Sequence, residues 1–237
     1  MSAKLSTNRE LGHLIEKQMR NWEIARSQRT EHSARPARQE VEHFISISRA
    51  VGLPGNEIAS LLHDRLGWPV FDREILHTMA GDDTYRERIY GELDEHDEGW
   101  LQEFTRSLTQ GRFISREEYF RSLMETVVAL ARQGHVIFLG RATDMILPKD
   151  IGLRVRLTAS RDYCVHRFAE QNHLHYEAAV RQIEEIEHER ARFLRSHFHV
   201  EASEQTRHDL IINFERFNRE QTADMIMSAL KIRGIVT

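Results

Sequence analysis

Apolar residues recur along this chain with two different periods, and the periods take turns. The run HFISIS, from His43, alternates apolar and small polar positions as a half-buried strand does. The next stretch puts Ile58, Leu61, Leu62 and Leu66 on one helical face, with Asn56 placed as N-cap and Gly67 as stop. WPVFD then reads as a brief second strand. HVIFLG, ending at Gly140, is almost continuously apolar, which predicts a strand buried on both faces. GLRVRLTA predicts a further strand with Leu153, Val155 and Leu157 inward, and Ser160 caps the helix after it. A long charged helix, YEAAVRQIEEIEHERARFLRSHF, leads to a last strand, DLIINF. Asn218 and Gln221 form a capping-box pattern before the closing helix. Strands interleaved with helices predict an α/β fold of three layers, with a parallel central sheet of about five strands and helices on both faces.

Two regions stand outside that alternation. Residues 73 to 133 are helical and highly charged, broken by Gly81, Gly91, Gly99 and Gly111. Within them GELDEHDEGW is an acidic stretch, a mobile helix pair or loop, and a helix runs from about Glu117 to Gln133. Residues 1 to 40 form an extension: Leu11, Leu14, Ile15, Met19 and Trp22 make an apolar stripe at helical spacing, and TEHSARPARQE, with Pro36, has the composition of a linker. Such a helix either packs on its own domain or makes a homodimer or partner contact. The domain proper is therefore expected over residues 41 to 237.

Composition narrows the function classes. The chain has 237 residues, 27.9 kDa and a formal net charge of -4, a balance that argues against a nucleic-acid polymer as partner. No apolar run approaches the roughly 20 residues that span a bilayer, and the first 30 residues lack the apolar core of a signal peptide, so no membrane contact and a cytoplasmic location are expected. The single cysteine, Cys164, excludes an internal disulfide and is read as core packing. The histidines of HLHY and HFHV lack zinc-site spacing and are read as surface or lid residues; no metal ligand is assigned.

The candidate chemistry lies after the first strand. SRAVGLPGNEIA places a loop with Gly52 and Gly55 between a strand and a helix, the layout whose backbone amides and helix N-terminus hold phosphate. The G-K-[ST] ending is missing: Gly55 stands where the lysine belongs, and Glu57 where a Ser or Thr would hold magnesium. Pro54 removes a further backbone donor. Arg49, at the loop's entrance, can hold phosphate through two parallel hydrogen bonds and is the candidate replacement for the lysine.

Taken with GHVIFLGRATDMILP, LRVRLTASRDYCVHRFAE, HERARFLRSHF and HDLIINFERFNREQTADMI, this loop and the DREI after it resemble the cytidylate kinase-like family, a branch of the P-loop nucleoside monophosphate kinases. The resemblance runs from about Phe44 to Leu230, and that branch commonly has glycine at the lysine position. It implies a P-loop kinase fold with ATP and Mg2+ as cofactors. Residues 73 to 133 become an acceptor-binding insertion and residues 188 to 200 an arginine-bearing lid. It further implies that Ser48, Arg49, Gly52, Gly55 and Asn56 form the phosphate loop, that Asp72, Arg73 and Arg141 face the acceptor, and that Arg190 and Arg195, with Arg49, neutralise the transferred phosphoryl group. Asp72 has the alternative role of N-cap for the next helix. Ala142 replaces the aspartate of the family's Gly-Arg-Asp. The expected activity is phosphoryl transfer from Mg·ATP to a nucleoside monophosphate, CMP or dCMP first. The alternative is a nucleotide-binding or regulatory module that keeps the fold without the reaction.

Overall fold

The computed structural model describes residues 2–30, 41–90, 118–200 and 207–237. The linker around Pro36, the acidic stretch GELDEHDEGW, and Gly91, Gly99 and Gly111 lie outside the described residues. The strands are β1 (Phe44–Arg49), β2 (Val70–Asp72), β3 (Val136–Leu139), β4 (Leu153–Thr158) and β5 (Leu210–Asn213). All pair in parallel, in the order β2-β3-β1-β4-β5. The helices are α1 (Ser2–Thr30), α2 (Gly55–Leu66), α3 (Arg73–Gly81), α4 (Asp83–Tyr90), α5 (Glu118–Gln133), α6 (Thr143–Ile146), α7 (Arg161–Asn172), α8 (Tyr176–Phe198) and α9 (Arg219–Ile232).

Alternation within the strands explains the three layers. Ile45, Ile47, Ile137, Leu139, Leu153, Val155 and Leu157 join one core with Ile58 and Leu62 of α2 and Ile226 and Leu230 of α9. Phe44, Phe71, Val136 and Phe138 point the other way, into a core with α1, α3, α5 and the end of α8. The sheet is thus a parallel one covered on both faces, as the apolar run of β3 predicts. Gly67 does stop α2, at φ 70° with its amide on the His63 carbonyl. Ser160 caps α7 and the Asn218–Gln221 box opens α9. Asn56, however, is not the N-cap of α2. The helix starts at Gly55, with Pro54 as the preceding residue, because the Pro54 carbonyl already accepts from Ile58 at 3.2 Å.

Helix α1 lies on its own chain. Ile15, Met19 and Trp22 are fully buried in the second core, and the Trp22 indole donates to the Leu130 carbonyl at 3.2 Å. The Gln18 side chain accepts from the Val70 amide, which occupies a free donor at the edge strand β2. Leu14 remains exposed. No helix among the described residues is long and apolar enough to cross a membrane.

Two arginines depart from the expected strand pattern. On β4, Arg154 and Arg156 sit in register with Ser46 and Ser48 of β1, so these four side chains share the sheet face turned toward α6 and α8. Arg154 is 2% exposed. Its guanidinium donates to the carbonyls of Asp144 (3.2 Å), Leu147 (2.9 Å), Lys149 (3.0 Å) and Pro148, which ties down the turn after α6. Four hydrogen bonds to a ring of carbonyls make the buried guanidinium tolerable without a carboxylate at full contact.

Candidate phosphate-binding site

The strand order reverses at β1: the chain moves outward to β2, returns through β3, then crosses to β4 and β5. Ligands of open parallel sheets bind in the crevice at such a point, beyond the carboxyl ends of the strands. A cleft of about 220 Å³ opens here and runs down the sheet face covered by α8. Six guanidinium groups line it, from Arg49, Arg73, Arg141, Arg156, Arg190 and Arg207, against two carboxylates, Asp144 and Glu189.

The loop beside it is closed on itself. Gly52 has φ +88°, and a Cβ there would lie 2.5 Å from the Cys164 carbonyl oxygen, so only glycine fits. Pro54, at φ -81° and ψ 59°, centres an inverse γ-turn in which the Gly55 amide donates to the Leu53 carbonyl at 2.9 Å. Val51 and Leu53 are buried. One amide expected to face phosphate is therefore occupied, and a second is absent at the proline. Glu57 turns outward to an ion pair with Arg219.

Arg49 explains the missing lysine in steric terms. A Cβ at Gly55 would meet the Arg49 Cδ at 2.7 Å and Nε at 2.8 Å, and one at Gly140 would meet its Nη1 at 3.3 Å. The arginine side chain threads between two glycines and fills the groove that a lysine at position 55 would need. Arg190 then donates to the Arg49 carbonyl at 2.9 Å, which joins α8 to the end of β1.

Burial pushes the Arg49, Arg141 and Arg156 guanidiniums below their ordinary range, with neighbouring arginines adding to it and Asp72 opposing it at Arg49. Arg190 is pushed down to about 10, by burial first and then by Arg49, Arg156 and Arg73. At neutral pH these groups are still cations, so the cleft is a concentrated positive field.

The backbone after β3 presents another of them. Gly140, Arg141 and Ala142 have φ of 84°, 54° and 52°, three consecutive left-handed residues of which two carry side chains. Non-glycine residues held there cost on the order of 1 kcal/mol each and persist where the surroundings impose them. The turn sets the Arg141 guanidinium 5.9 Å from the Phe193 ring centroid.

Of the residues singled out in the sequence, Ser48, Arg49, Arg73, Arg141 and Arg190 meet at this cleft. Gly52, Gly55 and Asn56 build the adjoining loop and first turn of α2 without lining it. Asp72 caps α3: its Oδ1 accepts from the Glu74 and Ile75 amides, both at 3.0 Å. Arg195 is on the exposed side of α8. Arg156, Arg207 and Asp144 were not legible as site residues, nor was Phe193. The HFHV histidines divide: His199 is exposed, but His197 is buried and stacked on Phe120 at 4.3 Å. Cys164 is buried in the core, as expected.

Among the described residues no three His, Cys, Asp or Glu side chains group as a metal cage. Asp144 is engaged with Arg207 at 3.1 Å, Glu57 with Arg219 outside the cleft, and Glu189 is the one other carboxylate lining it among six guanidiniums. This donor set does not fit a divalent ion held by the protein.

A second cleft, of about 760 Å³, lies on the other side of the loop, where Glu57 faces Tyr163, Arg167, Phe214 and Phe217. The Arg167 guanidinium sits 5.9 Å from the Tyr163 centroid and 5.8 Å from that of Phe214.

This sheet order, the glycine loop feeding α2 and an arginine cleft at the switch point define a P-loop kinase fold. The chain belongs to the cytidylate kinase-like family, whose model matches residues 44–216. Among solved structures it is similar to an uncharacterized protein from Eubacterium ventriosum ATCC 27560, at 16% identity and a TM-score of 0.63, over 81% of this chain and 99% of that one. It also overlays a shikimate kinase from Bacteroides thetaiotaomicron, at 16% identity and a TM-score of 0.42 over 80% and 98% of the two chains. A gluconokinase from Sinorhizobium meliloti 1021 overlays at 13% identity and a TM-score of 0.42 over 83% and 96%. No curated protein matches the chain.

Proposed function

We propose that this protein transfers a phosphoryl group from Mg·ATP to a nucleoside monophosphate, with CMP or dCMP as the first acceptors to try. The observation that carries the reading is the convergence of six guanidiniums on one small cleft at the end of β1. Phosphoryl transfer needs little covalent chemistry from the protein, and positioned positive charge supplies most of the catalysis. At about 220 Å³ the cleft is smaller than the roughly 300–1,000 Å³ of pockets that enclose whole drug-sized ligands. It suits the phosphate-bearing ends of two nucleotides rather than their bases. The larger cleft beside Arg167, Phe214 and Phe217 is suited to the donor's base, which would stack on guanidinium and aromatic faces. Among the described residues no side-chain group forms a metal cage, so magnesium enters this reading only as part of the Mg·ATP substrate.

A second reading, a nucleotide-responsive module without turnover, is favoured by the closed loop, in which Gly55 donates to Leu53 and Pro54 has no amide. A transfer assay separates the two. Protein in excess over γ-labelled Mg·ATP is mixed with a pool of nucleoside monophosphates, in wild type and Arg190→Ala. Labelled diphosphate that is lost in the variant supports the kinase. No transfer, with ATP still raising Tm, supports the module.

A further inference from the structure

The cleft continues past the loop onto the sheet face, and this inner end has its own construction. Ser48 and Arg156 are register neighbours on β1 and β4, and both line it. Arg207, just before β5, reaches in from the far side with its side chain only 10% exposed. Its Nε lies 3.1 Å from the Asp144 Oδ2, yet neither Nε nor Nη1 has a hydrogen-bond partner among the described residues. The Asp144 side chain is itself 5% exposed. Arg156 has no carboxylate at ion-pair distance among the described residues, and Glu187, which faces it more distantly, is exposed and paired with Arg161 at 3.4 Å. Arg190 closes the top from α8, where its Nη1 donates to the Arg49 backbone carbonyl at 2.9 Å. Asp144 offsets one of the three guanidiniums, and Glu189, the other carboxylate of the cleft, is exposed on α8. Positive charge is left in excess in a half-buried pocket beside the Ser48 hydroxyl, which bonds the His208 Nε2 at 2.9 Å.

A buried donor with no acceptor costs free energy, and a buried cation with no counter-charge costs more. The missing partner must bring oxygen acceptors and about two negative charges in a small volume. A phosphoryl dianion meets all three conditions, and guanidinium forks match its geometry.

We propose that Ser48, Arg156, Arg190 and Arg207 form a subsite for a phosphoryl dianion on the α8-facing side of the sheet, beneath the phosphate loop rather than inside it. The inference rests on reading the cleft as phosphate-binding, and adds the depth and the residues at which one phosphoryl group is held. Two sources share this chemistry: free inorganic phosphate, and the phosphate of the acceptor nucleotide.

Calorimetric titration with inorganic phosphate and separately with CMP tests it, on the full chain in wild type, Arg156→Gln, Arg207→Lys and, as control, Arg181→Gln on the exposed side of α8. Arg207→Lys keeps a positive charge beside Asp144 and removes only the fork, which guards against simple misfolding, and thermal unfolding checks each variant. We expect wild type to bind at least one probe, about tenfold or more weakened in Arg156→Gln and Arg207→Lys and unchanged in Arg181→Gln. Phosphate bound and competed off by CMP assigns the subsite to the acceptor's phosphate; phosphate bound without competition assigns it to the free ion. Equal affinity in folded Arg156→Gln, Arg207→Lys and wild type overturns the proposal, as does binding of neither probe. Those failures leave the kinase reading standing if ATP still raises Tm and transfer occurs. Conversely, loss of affinity in both variants in a protein that never transfers phosphate keeps the subsite and removes the kinase.

Discussion

Restoring a lysine at position 55 should damage this protein unless Arg49 is removed first. The Cβ alone would approach the Arg49 Cδ to 2.7 Å and Nε to 2.8 Å, and Leu139 Cδ1 to 3.1 Å, where ordinary contacts begin at 3.4 Å. A lysine stem continues into the same groove, so one of the two side chains must leave it. Overpacking of this kind costs about 1–3 kcal/mol. Arg49→Ala empties the groove, and Gly55→Lys in that background has somewhere to go. The two substitutions should therefore be coupled by about 1–3 kcal/mol, the double variant being more stable than the sum of the singles. Equilibrium unfolding in guanidinium chloride of wild type, both singles and the double measures this. The double variant should also recover part of the ATP-induced rise in Tm that Arg49→Ala loses, because a cation is again placed at the loop. Additivity within about 0.5 kcal/mol would refute the reasoning, and with it the account of why the loop has no lysine.

Three further outcomes follow from the same geometry. Trp22→Ala removes a fully buried side chain and its bond to Leu130, and should cost about 3–5 kcal/mol, a large part of the 5–15 kcal/mol typical of a domain; a loss under about 1 kcal/mol in chemical unfolding would mean that α1 does not dock as described. Gly52→Ala places a side chain at φ +88° and 2.5 Å from the Cys164 carbonyl, and should lower stability by about 2–4 kcal/mol in the same assay. Arg190, held down to about 10 in the fold, binds fewer protons there than in the unfolded chain between that pH and its higher, ordinary value. Its contribution to stability therefore rises with pH across this window, whereas anion affinity, which needs the cation, falls as pH passes through about 10. The difference between wild type and Arg190→Gln in phosphate affinity should vanish above that pH, and a difference constant across it would contradict the assignment.

The sheet was legible because its signals are local. A continuous apolar run such as Val136–Leu139 has no stable place except between two covered faces, and Ile45/Ile47 with Leu153/Val155/Leu157 mark the shared core side of β1 and β4. The other side of those strands was not legible. Ser46, Ser48, Arg154 and Arg156 carry the composition of a solvated face, and only the turn after α6, with its ring of carbonyls, and α8 above it make that face an interior. The missing loop lysine led to Arg49, and the resemblance to Arg73, Arg141 and Arg190, as site candidates, which the fold gathers at one cleft. It could not sort Arg190 from Arg195: five residues apart at 100° each, they point to different sides of α8, and which side is inward depends on where that helix docks. Arg207 follows a stretch with no periodic pattern, so nothing near it announces a role. For α1 the apolar stripe was plain, but a stripe looks the same whether it covers its own domain or a partner. That Ile15, Met19 and Trp22 lie beside α3 and α5 in the second core is a matter of tertiary placement alone.

The most direct test of the central claim is the affinity of wild type and Arg190→Ala for ATP and for CMP, measured by titration calorimetry at low salt. Charged hydrogen bonds to a phosphate are each worth about 1.5–3 kcal/mol, so removing one buried guanidinium should weaken nucleotide binding by about ten- to a hundredfold. Binding of the same strength in the two proteins would mean that the arginine cleft is not where phosphate is held.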